Sequence, residues 1–212
     1  MTTVLLTGFE PFGGDASNPS GVAVRRVAER WTGPDVLITD VLPVTFSGAA
    51  ERLRELIAQH SPDVVVAAGL AGNRSAISIE RVAVNLADAR IPDNDGAQPV
   101  DQPSVAGAPT ARFATLPVKA IVRDLLAAGV PAEISYSAGT FVCNHVFFAA
   151  MDEASAHPGV RAGFIHVPWD VDHAPMTAPY LELDDIVRAL EVAIRTSLAE
   201  ESDIGAIGGA VS

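Results

Sequence analysis

Apolar residues along the chain form short continuous runs that alternate with stretches of helical spacing. The run PDVVVAAGLAG (62–72) has no polar alternation, as is typical of a strand buried on both faces. In the stretch 47–60, four apolar side chains fall on one helical stripe, namely Ala50, Leu53, Leu56 and Ile57. These two segments represent the two kinds of element that recur along the chain.

The same pattern predicts strands over residues 4–9, 35–44, 62–72, 132–139 and 161–168. It predicts helices over residues 18–31, 47–60, 117–129, 143–156 and 183–201. Strands that alternate with helices predict a mostly parallel central sheet covered on both faces. Because no linker, repeat or low-complexity segment interrupts the pattern, we expect one α/β/α sandwich domain over residues 1–212, with a frayed tail over residues 203–212.

The segment 75–96 departs from this regularity. Its apolar residues occupy odd positions before residue 80 and even positions from residue 82 onward. Side chains of one strand alternate with a period of two, so a regular strand cannot change faces midway. The pattern therefore predicts a strand end, turn or bulge at Glu80–Arg81, where a carboxylate can point to a specific place.

Composition limits the kinds of partner. The 212 residues are 49% hydrophobic and carry 26 acidic against 14 basic residues, a formal charge of -12. Such a chain repels phosphate backbones and anionic lipid surfaces, so we expect neither nucleic acid nor a membrane as a partner. The N-terminus lacks a signal sequence, and no run approaches the roughly 20 apolar residues of a membrane span. We therefore expect a soluble cytoplasmic protein.

The single cysteine, Cys143, stands in GTFVCNH (139–145), where a predicted strand gives way to a helix. At a helix N-terminus the macrodipole and the free N–H groups favour an anion, which lowers a thiol pKa, and the same groups suit an oxyanion. Ligand sites also collect at the carboxyl ends of strands in open α/β sheets. Free cysteines are nonetheless among the most buried residues, so a catalytic role and a core role both stay open.

A nucleophilic thiol requires a base, and the chain has five histidines. His145 lies two residues from Cys143, a spacing that turns the two side chains about 200° apart on a helix. His166 lies near the carboxyl end of the last predicted strand, the same sheet edge as the cysteine if both strands are parallel, and its alternative is a satisfied core histidine. Glu80 is the candidate that would orient this histidine, and a surface ion pair with Arg81 is its alternative.

The loop GFEPFGGDASNPSG (8–21) is rich in glycine but matches neither the dinucleotide-binding pattern nor the P-loop, which requires Gly-Lys-Ser/Thr. It carries Phe9 and Phe12 where a polar turn is expected. Exposed aromatic rings beside glycines indicate a flat apolar slot, and hydrophobic anchoring of the loop is the alternative.

Two other functions stay open on the residues alone. One is a metal-dependent amidohydrolase built on the cluster HVPWDVDH, with the candidate ligands His166, Asp170, Asp172 and His173 and the optional ligands Asp93 and Asp95. This cluster lacks a helical i, i+4 pair of ligands, and we predict neither a metal nor a cofactor. The other is a binding module without enzymatic activity.

Four separated motifs, LLTGFEPFGG…NPS, ERVAVNLADARIPDNDG, SYSAGTFVCNHVFF and GFIHVPW, occur in this order along the chain. Together they closely resemble the pyroglutamyl-peptidase I family, also called pyrrolidone-carboxylate peptidases, in register from about residue 4 to residue 200. The resemblance implies an α/β/α sandwich and a cytosolic cysteine peptidase that removes an N-terminal pyroglutamyl residue from peptides. It also implies a homotetramer.

The resemblance implies roles for individual residues as well. The catalytic cysteine, histidine and glutamate of the family fall on Cys143, His166 and Glu80. Asn18 is expected near the lactam of the substrate and Arg90 near the catalytic groups. The full set implied for substrate binding is Phe9, Phe12, Asn18, Thr45, Leu70, Arg90, Ile91, Phe141 and Val142.

The sequence departs from the family at residue 70. Members often carry Gln in GQAGGR, whereas this chain reads GLAGNR, with Leu70 and Asn73. A contact made by the Gln side chain would be lost here, whereas a contact made by its backbone would be kept.

Overall fold

The computed structural model describes residues 1–209, so the last three residues of the predicted tail, 210–212, lie outside the described residues. All five helices and five strands expected from the apolar pattern are present within a few residues of their predicted bounds. The elements are, in chain order, β1 (Thr3–Phe9), α1 (Pro19–Arg30), β2 (Val36–Leu42), α2 (Phe46–His60), β3 (Val64–Leu70), β4 (Ile77–Glu80), β5 (Val82–Val84), β6 (Ala111–Phe113), α3 (Val118–Ala127), β7 (Ala132–Ser135), α4 (Val142–Ala156), β8 (Arg161–Val167), β9 (Trp169–Asp170), β10 (Tyr180–Leu181) and α5 (Leu183–Ala199).

The central sheet has six strands in the order β2-β1-β3-β8-β4-β7. Four of the five strand pairs are parallel, and β4 runs antiparallel to β8. The prediction of a mostly parallel sheet is therefore confirmed. Because β7 is parallel to β4, it also runs opposite to β8, so the strand before Cys143 does not share the direction of the strand that holds His166.

Helices cover both faces of this sheet. On one face α1 and α3 both pack against α5, and on the other α2 packs against α4. Strand β3 is buried along nearly its whole length, as its continuous apolar run predicts, because both layers cover it. No helix within residues 1–209 combines the length and the apolar character needed to cross a membrane.

The irregular segment 75–96 divides where its apolar phase changes. Strand β4 ends at Glu80, and β5 then leaves the central sheet to pair with β6. The N–H group of Arg81 donates to the Ser135 carbonyl oxygen at 2.7 Å, which closes the end of β4 against β7. The Arg81 side chain lies 3.9 Å from Asp203, so the alternative of an ion pair between Glu80 and Arg81 is wrong.

The part of the C-terminal tail that the structure describes is anchored. Helix α3 has no side-chain hydrogen bond from its own N-cap residue, Pro117. Asp203 takes that role, since its Oδ1 accepts the N–H groups of Lys119 at 2.9 Å and Ala120 at 3.2 Å. The hydroxyl of Tyr136 also donates to a carbonyl oxygen of the tail. Contacts of the tail with α3 and Tyr136 therefore extend to residue 208, and a frayed tail over residues 203–212 stays a prediction.

Candidate active site

His166 and Glu80 form a buried hydrogen-bonded pair in the central sheet. Strand β4 runs antiparallel beside β8, with Ser78 directly opposite His166. Glu80 lies two residues further along β4 on the same face, so its carboxylate reaches the imidazole diagonally. Glu80 Oε1 lies 2.7 Å from His166 Nδ1, and the two side chains are 0% and 4% exposed. The antiparallel pair of strands therefore brings these two candidates together.

Arg74, in the loop between β3 and β4, contacts the same carboxylate. Its Nη1 donates to Glu80 Oε1 at 2.7 Å, and its Nη2 donates to the Ser137 carbonyl oxygen at 2.8 Å. Glu80 Oε1 thus serves both the imidazole and the guanidinium, whereas Oε2 has no hydrogen-bond partner within residues 1–209. Sequence reasoning missed Arg74, because a loop arginine carries no periodic signal.

The electrostatics of the pair favour an ionised Glu80 beside a neutral His166. Burial acts to raise the pKa of Glu80, but the hydrogen bond and charge of His166 and the charge of Arg74 together hold that pKa below its ordinary value. For His166, burial is the largest influence and lowers the pKa, and Arg74 acts in the same direction, against Glu80. With Nδ1 donating to the carboxylate, the lone pair of Nε2 is available as a base.

Cys143 lies in the first turn of α4, and its sulfur lies over the end of β3. A Cβ atom at Gly69 would stand 2.8 Å from Cys143 Sγ and 2.9 Å from the ring of Phe164, so only glycine leaves room there. Gly69 is the register partner of His166 on β8. The rings of Phe164 and His166 have centroids 4.8 Å apart. The sulfur of Cys143 therefore lies over Gly69 of β3, and His166 occupies the neighbouring position on β8.

The segment before Cys143 takes a different path from the one expected. Strand β7 points away from the edge at which β8 ends, so residues 136–141 must carry the chain back to that edge. Two hydrogen bonds of Thr140 hold this segment in place. Its carbonyl oxygen accepts from Asp88 N at 3.0 Å, and its Oγ1 donates to Asp88 O at 2.7 Å. Asn144 fastens the start of α4, since its amide exchanges hydrogen bonds with both backbone groups of Val84.

The surroundings of the thiol oppose ionisation, contrary to the expectation from the helix N-terminus. Burial raises the pKa of Cys143 to about 12, and the Glu80 carboxylate adds to the rise, while Arg74 and a backbone N–H act in the opposite direction. Desolvation and a nearby negative charge thus outweigh the dipole of the first helical turn. These surroundings favour the thiol form of the resting cysteine.

His145, the histidine nearest to Cys143 in sequence, belongs to the packing between α4 and α2. Its ring contacts Phe46, with centroids 5.6 Å apart. Burial lowers the pKa of His145 to about 4, and the charge of Arg54 adds to the effect. The ring is therefore neutral and directed at the α2 layer, as its helical spacing from the cysteine predicts.

A cavity of about 100 Å³ opens beside Cys143, at the gap between β1 and β3. The sheet order reverses here, because β2 lies on one side of β1 and β3 on the other, and ligands commonly bind at such switch points. Phe12 and Phe141 form an aromatic wall with ring centroids 5.2 Å apart. The complete lining is Phe9, Phe12, Asp15, Ser17, Asn18, Val44, Leu70, Phe141, Val142 and Cys143.

The cavity contains six of the nine residues expected to bind substrate: Phe9, Phe12, Asn18, Leu70, Phe141 and Val142. Thr45 lies outside it as the buried N-cap of α2, where its Oγ1 accepts from Gly48 N at 3.2 Å. Arg90 and Ile91 are exposed and do not line the cavity, and the arginine beside the buried pair is Arg74. The pattern gave no signal for the lining residues Val44, Asp15 and Ser17.

The two aromatic residues of the glycine-rich loop have different positions. Phe9 is 3% exposed and packs on Phe164 in the core, so it is not the exposed ring that the sequence indicated. Phe9 lines the cavity from the core side, whereas Phe12 is the partly exposed ring, and its aromatic partner, Phe141, comes from the start of α4. Close approach fixes the loop, because a Cβ atom at Gly21 would stand 2.3 Å from the Phe9 carbonyl oxygen.

The side-chain amide of Asn18 is used mainly to close this loop. Its Oδ1 accepts from Ser20 N at 3.1 Å and Ser20 Oγ at 2.8 Å, which caps α1. Its Nδ2 donates to the Glu10 carbonyl oxygen at 2.9 Å. One N–H of the amide is left for a molecule in the cavity.

The backbone of Leu70 faces the gap between β1 and β3. Successive residues of a strand direct their N–H and C=O groups to opposite neighbours, and Ala71 N donates to β8 at 2.9 Å, so Leu70 directs its own groups away from β8. The ladder between β1 and β3 ends earlier, at Ala67. Phe9 N donates to Ser20 Oγ at 3.1 Å rather than continuing that ladder. One backbone donor and one backbone acceptor are therefore directed towards the cavity.

The candidate metal ligands are divided among separate structural roles. His166 binds Glu80, whereas His173 Nδ1 lies 2.7 Å from Asp170 Oδ1. Asp93 accepts backbone N–H groups from its own turn and from the start of α2. Within residues 1–209, no three His, Cys, Asp or Glu side chains are grouped so that they could hold a metal ion.

Comparison with known proteins gives one consistent result. A family model described as pyroglutamyl peptidase matches residues 2–200. The pyrrolidone-carboxylate peptidase of Clavibacter michiganensis is 48% identical over 205 residues, which cover 96% of each chain. The crystal structure of pyroglutamyl peptidase I from Bacillus amyloliquefaciens matches with a TM-score of 0.93 at 46% identity, over 97% of this chain and 99% of that one. The pyrrolidone carboxyl peptidase of Thermococcus litoralis matches with a TM-score of 0.89 at 41% identity, over 94% of each chain.

Proposed function

The chain belongs to the pyroglutamyl peptidase family, and we propose that it hydrolyses the bond after an N-terminal pyroglutamyl residue of peptides, with Cys143 as nucleophile, His166 as base and Glu80 as the group that orients the base. The observation that carries this proposal is the buried His166–Glu80 pair beside a lone thiol, at the mouth of an aromatic cavity. A base held by a carboxylate next to a nucleophile is the arrangement that acyl transfer requires.

The cavity suits a pyrrolidone ring. The ring is uncharged, with two apolar faces and one amide donor and acceptor at its edge. Phe12 and Phe141 offer apolar surface for the faces, and the backbone of Leu70 offers a complementary acceptor and donor for the edge. A closed apolar cavity of about 150 Å³ accepts benzene, so the open cavity of about 100 Å³ suits a five-membered ring.

Specificity follows from the same match. A charged N-terminal amine would be desolvated against phenylalanine rings, and an amino acid without the lactam would leave the Leu70 backbone groups unpaired. Unpaired buried polar groups cost about 1 to 3 kcal/mol each, which is enough for strong discrimination between substrates. The backbone N–H and C=O groups of Leu70 would thus form the main hydrogen bonds to the lactam amide, and the remaining N–H of Asn18 would add another.

The reaction proceeds in two displacements. The sulfur of Cys143 forms a bond to the pyroglutamyl carbonyl carbon as its proton passes to His166 Nε2, and the carbonyl electrons move to the oxygen. The C–N bond then breaks, and the imidazolium returns the proton to the departing amine, which leaves a thioester. Water attacks the thioester with His166 again as base, and the thiol and free pyroglutamic acid are released.

The protonation states favour proton transfer during attack rather than a preformed ion pair. The pKa of Cys143 is raised to about 12 and that of His166 is lowered, so a neutral thiol stands beside a neutral base. Glu80 stabilises the imidazolium as it forms. The first N–H groups of α4 have no intrahelical acceptors and are the candidates to bind the oxyanion. Arg90 is the other expected contributor, and its exposed position makes it the weaker candidate.

Two broader expectations also stand as proposals. The resemblance to the family supports a homotetramer and a cytoplasmic location. Exposed apolar side chains such as Phe113 and Met176 are compatible with subunit contacts. Light scattering of the purified protein measures the oligomeric state directly, and a monomeric mass would contradict the tetramer.

The experiment that tests the proposed function compares the wild-type protein with Cys143→Ala on a pyroglutamyl-amide whose released amine is measured. We expect turnover by the wild type and none by the variant, with unfolding curves recorded for both. Because Cys143 is the only cysteine, iodoacetamide reports on this residue alone and should also stop turnover. Turnover that resists iodoacetamide and stops with a chelator would point to the metal-dependent alternative. A wild-type protein inactive on every pyroglutamyl substrate would point to a binding module.

A further inference from the structure

We infer that Arg74 is a positioning residue of this site: it keeps Glu80 ionised and aimed at His166, and it fixes the segment that leads to Cys143. The inference rests on the proposed function, because it assigns a role within the same reaction. Arg74 itself reaches the carboxylate rather than the sulfur or the cavity. Its influence on the reaction is therefore exerted through Glu80 and the backbone of residue 137.

The guanidinium connects two parts of the site with separate nitrogen atoms. Nη1 donates to Glu80 Oε1 at 2.7 Å, and this is the oxygen that also binds His166 Nδ1. Nη2 donates to the Ser137 carbonyl oxygen at 2.8 Å, in the segment that carries the chain from β7 back to Cys143. The planar, always charged guanidinium suits this double contact, whereas a lysine offers a single point of attachment.

The loop that carries Arg74 is itself held in place. Arg74 N donates to the Ala71 carbonyl oxygen at 3.0 Å, which forms a turn directly after β3. A Cβ atom at Gly72 would stand 2.4 Å from Trp169 Nε1, so the loop packs tightly against the buried indole. With its side chain only 20% exposed, Arg74 makes an ion pair that is shielded from water on the Glu80 side. Removing one partner of such a pair costs more than breaking a surface ion pair, because the buried Glu80 carboxylate then loses its cation.

Some charged side chains near the Glu80–His166 pair influence its pKa values, whereas others form hydrogen bonds or ion pairs with other residues. Arg74 acts on Glu80, on His166 and on Cys143. The neighbouring charged residues on adjoining elements have partners of their own, which are Asp203 for Arg81, Ser78 for Glu133, and His173 for Asp170. Arg74 is thus the cation that bears directly on the catalytic pair among residues 1–209.

Two effects follow and can be separated by substitution. Removing the charge lets the pKa of His166 rise, because Arg74 acts to lower it. A base with a higher pKa is protonated over a wider acidic range, so the acid limb of the kcat/KM profile moves to higher pH. Removing only the second attachment leaves the acid limb in place but loosens residue 137 and the approach to Cys143, which lowers kcat.

The test compares Arg74→Gln, Arg74→Lys and the matched control Arg81→Gln in pH profiles of kcat/KM on a pyroglutamyl-amide. We expect Arg74→Gln to move the acid limb to higher pH, and Arg74→Lys to keep the wild-type limb with a reduced kcat. Arg81 pairs with Asp203 and should give the wild-type profile. An NMR titration of labelled histidine in the same variants should give the same shift for His166, independently of turnover.

Each outcome decides the inference. A wild-type acid limb in Arg74→Gln would overturn it, even if kcat falls, because a merely structural role changes the amount of active protein and not the limb. If Arg74→Gln does not fold, Arg74→Lys decides alone: an unmoved limb with lower kcat supports the inference, and a moved limb overturns it. The proposed function fails separately, through activity retained in Cys143→Ala, whatever the Arg74 variants do.

Discussion

The proposed catalytic groups and the proposed substrate cavity lie side by side but are held by different parts of the fold. Glu80 and His166 come from adjacent strands and are fixed by the register of the sheet. Phe12 and Asn18 come from the loop after β1, which is fixed by the hydrogen bond from the Asn18 side chain to the Glu10 carbonyl oxygen and by close contact with Gly21. One half of the site is therefore part of the sheet, and the other half is a set of loops fastened to it.

This difference predicts different responses to substitution. A change beneath the catalytic groups cannot be absorbed, because strand positions are shared with both neighbouring strands and interiors are close-packed. A change in the cavity removes contact area from one wall and leaves the sheet intact. We therefore expect large effects on the chemical step from the sheet and graded effects on substrate binding from the loops.

The largest effect is expected from Gly69→Ala. The new methyl group would stand 2.8 Å from Cys143 Sγ and 2.9 Å from the Phe164 ring, so the sulfur must move. A displacement of about 1 Å near the reacting atoms costs about 100-fold in rate, and crowding of the core costs roughly 1 to 3 kcal/mol of stability. Steady-state kinetics on the folded variant should show the loss in kcat.

Gly163→Ala is the matched control for this substitution. Gly163 is also a buried glycine of the central sheet, but its added methyl group would meet the Leu116 side chain at 2.7 Å, away from the sulfur. It should lose a similar amount of stability and keep its kcat. Equal losses of kcat in both variants would mean that general crowding, rather than contact with the sulfur, explains the effect.

The catalytic half of the site was the more predictable half. Glu80 was indicated by the change of apolar phase, and β4 does end there. His166 was indicated by its place near the end of a strand, and it lies on β8. The expectation that Cys143 and His166 share a sheet edge through parallel strands was wrong, since the strand before Cys143 runs opposite to the strand that holds His166. A change in the apolar period marks where a strand ends. The direction of a strand in the sheet depends instead on how the chain connects it to the next strand, and the apolar pattern does not encode that connection.

The cavity was harder to predict, because loop positions depend on hydrogen bonds between distant residues. Thr45 and Val44 are adjacent in sequence, yet one caps α2 and the other lines the cavity. Arg90 matched a family motif but is exposed, while Arg74 supplies the partly buried guanidinium that binds Glu80. The expectation of a lowered pKa for Cys143 failed for a related reason. The start of the helix is visible in the sequence, but the burial and the Glu80 charge that raise this pKa are not.

The intermediate effect is expected from Phe12→Ala. Phe12 is preferable to Phe141 as a probe, because Phe141 is also the N-cap of α4 and its loss could move the cysteine. Full burial of a phenylalanine contributes about 1.5 to 3 kcal/mol, so losing one wall should lower kcat/KM roughly tenfold or more. Because the ring contacts the substrate before and during reaction, the loss should fall mainly on KM.

The control for this loss is Phe113→Ala. Phe113 is 66% exposed on β6 and lies outside the cavity, so its removal should leave both kinetic constants near the wild-type values. A fall in kcat for Phe12→Ala without a rise in KM would contradict the assignment of Phe12 to the binding wall. That result would mean that Phe12 contributes to the chemical step, so the loop and the sheet would no longer have separate roles in binding and catalysis.

The smallest effect is expected from Leu70→Gln, which restores the residue common in the family. The substrate lactam is expected to bind the Leu70 N–H and C=O groups, which face the gap between β1 and β3 whatever the side chain. The side chain is half-buried at the cavity and can turn its amide towards water, so stability should change by about 0.5 kcal/mol at most. On this account kcat/KM for a pyroglutamyl-amide changes by no more than about threefold, since 1.4 kcal/mol corresponds to tenfold. A gain of tenfold or more in kcat/KM would mean that a side-chain amide at residue 70 hydrogen-bonds to the lactam. Recognition of the lactam would then depend on side chains of the cavity rather than on the backbone at the sheet edge.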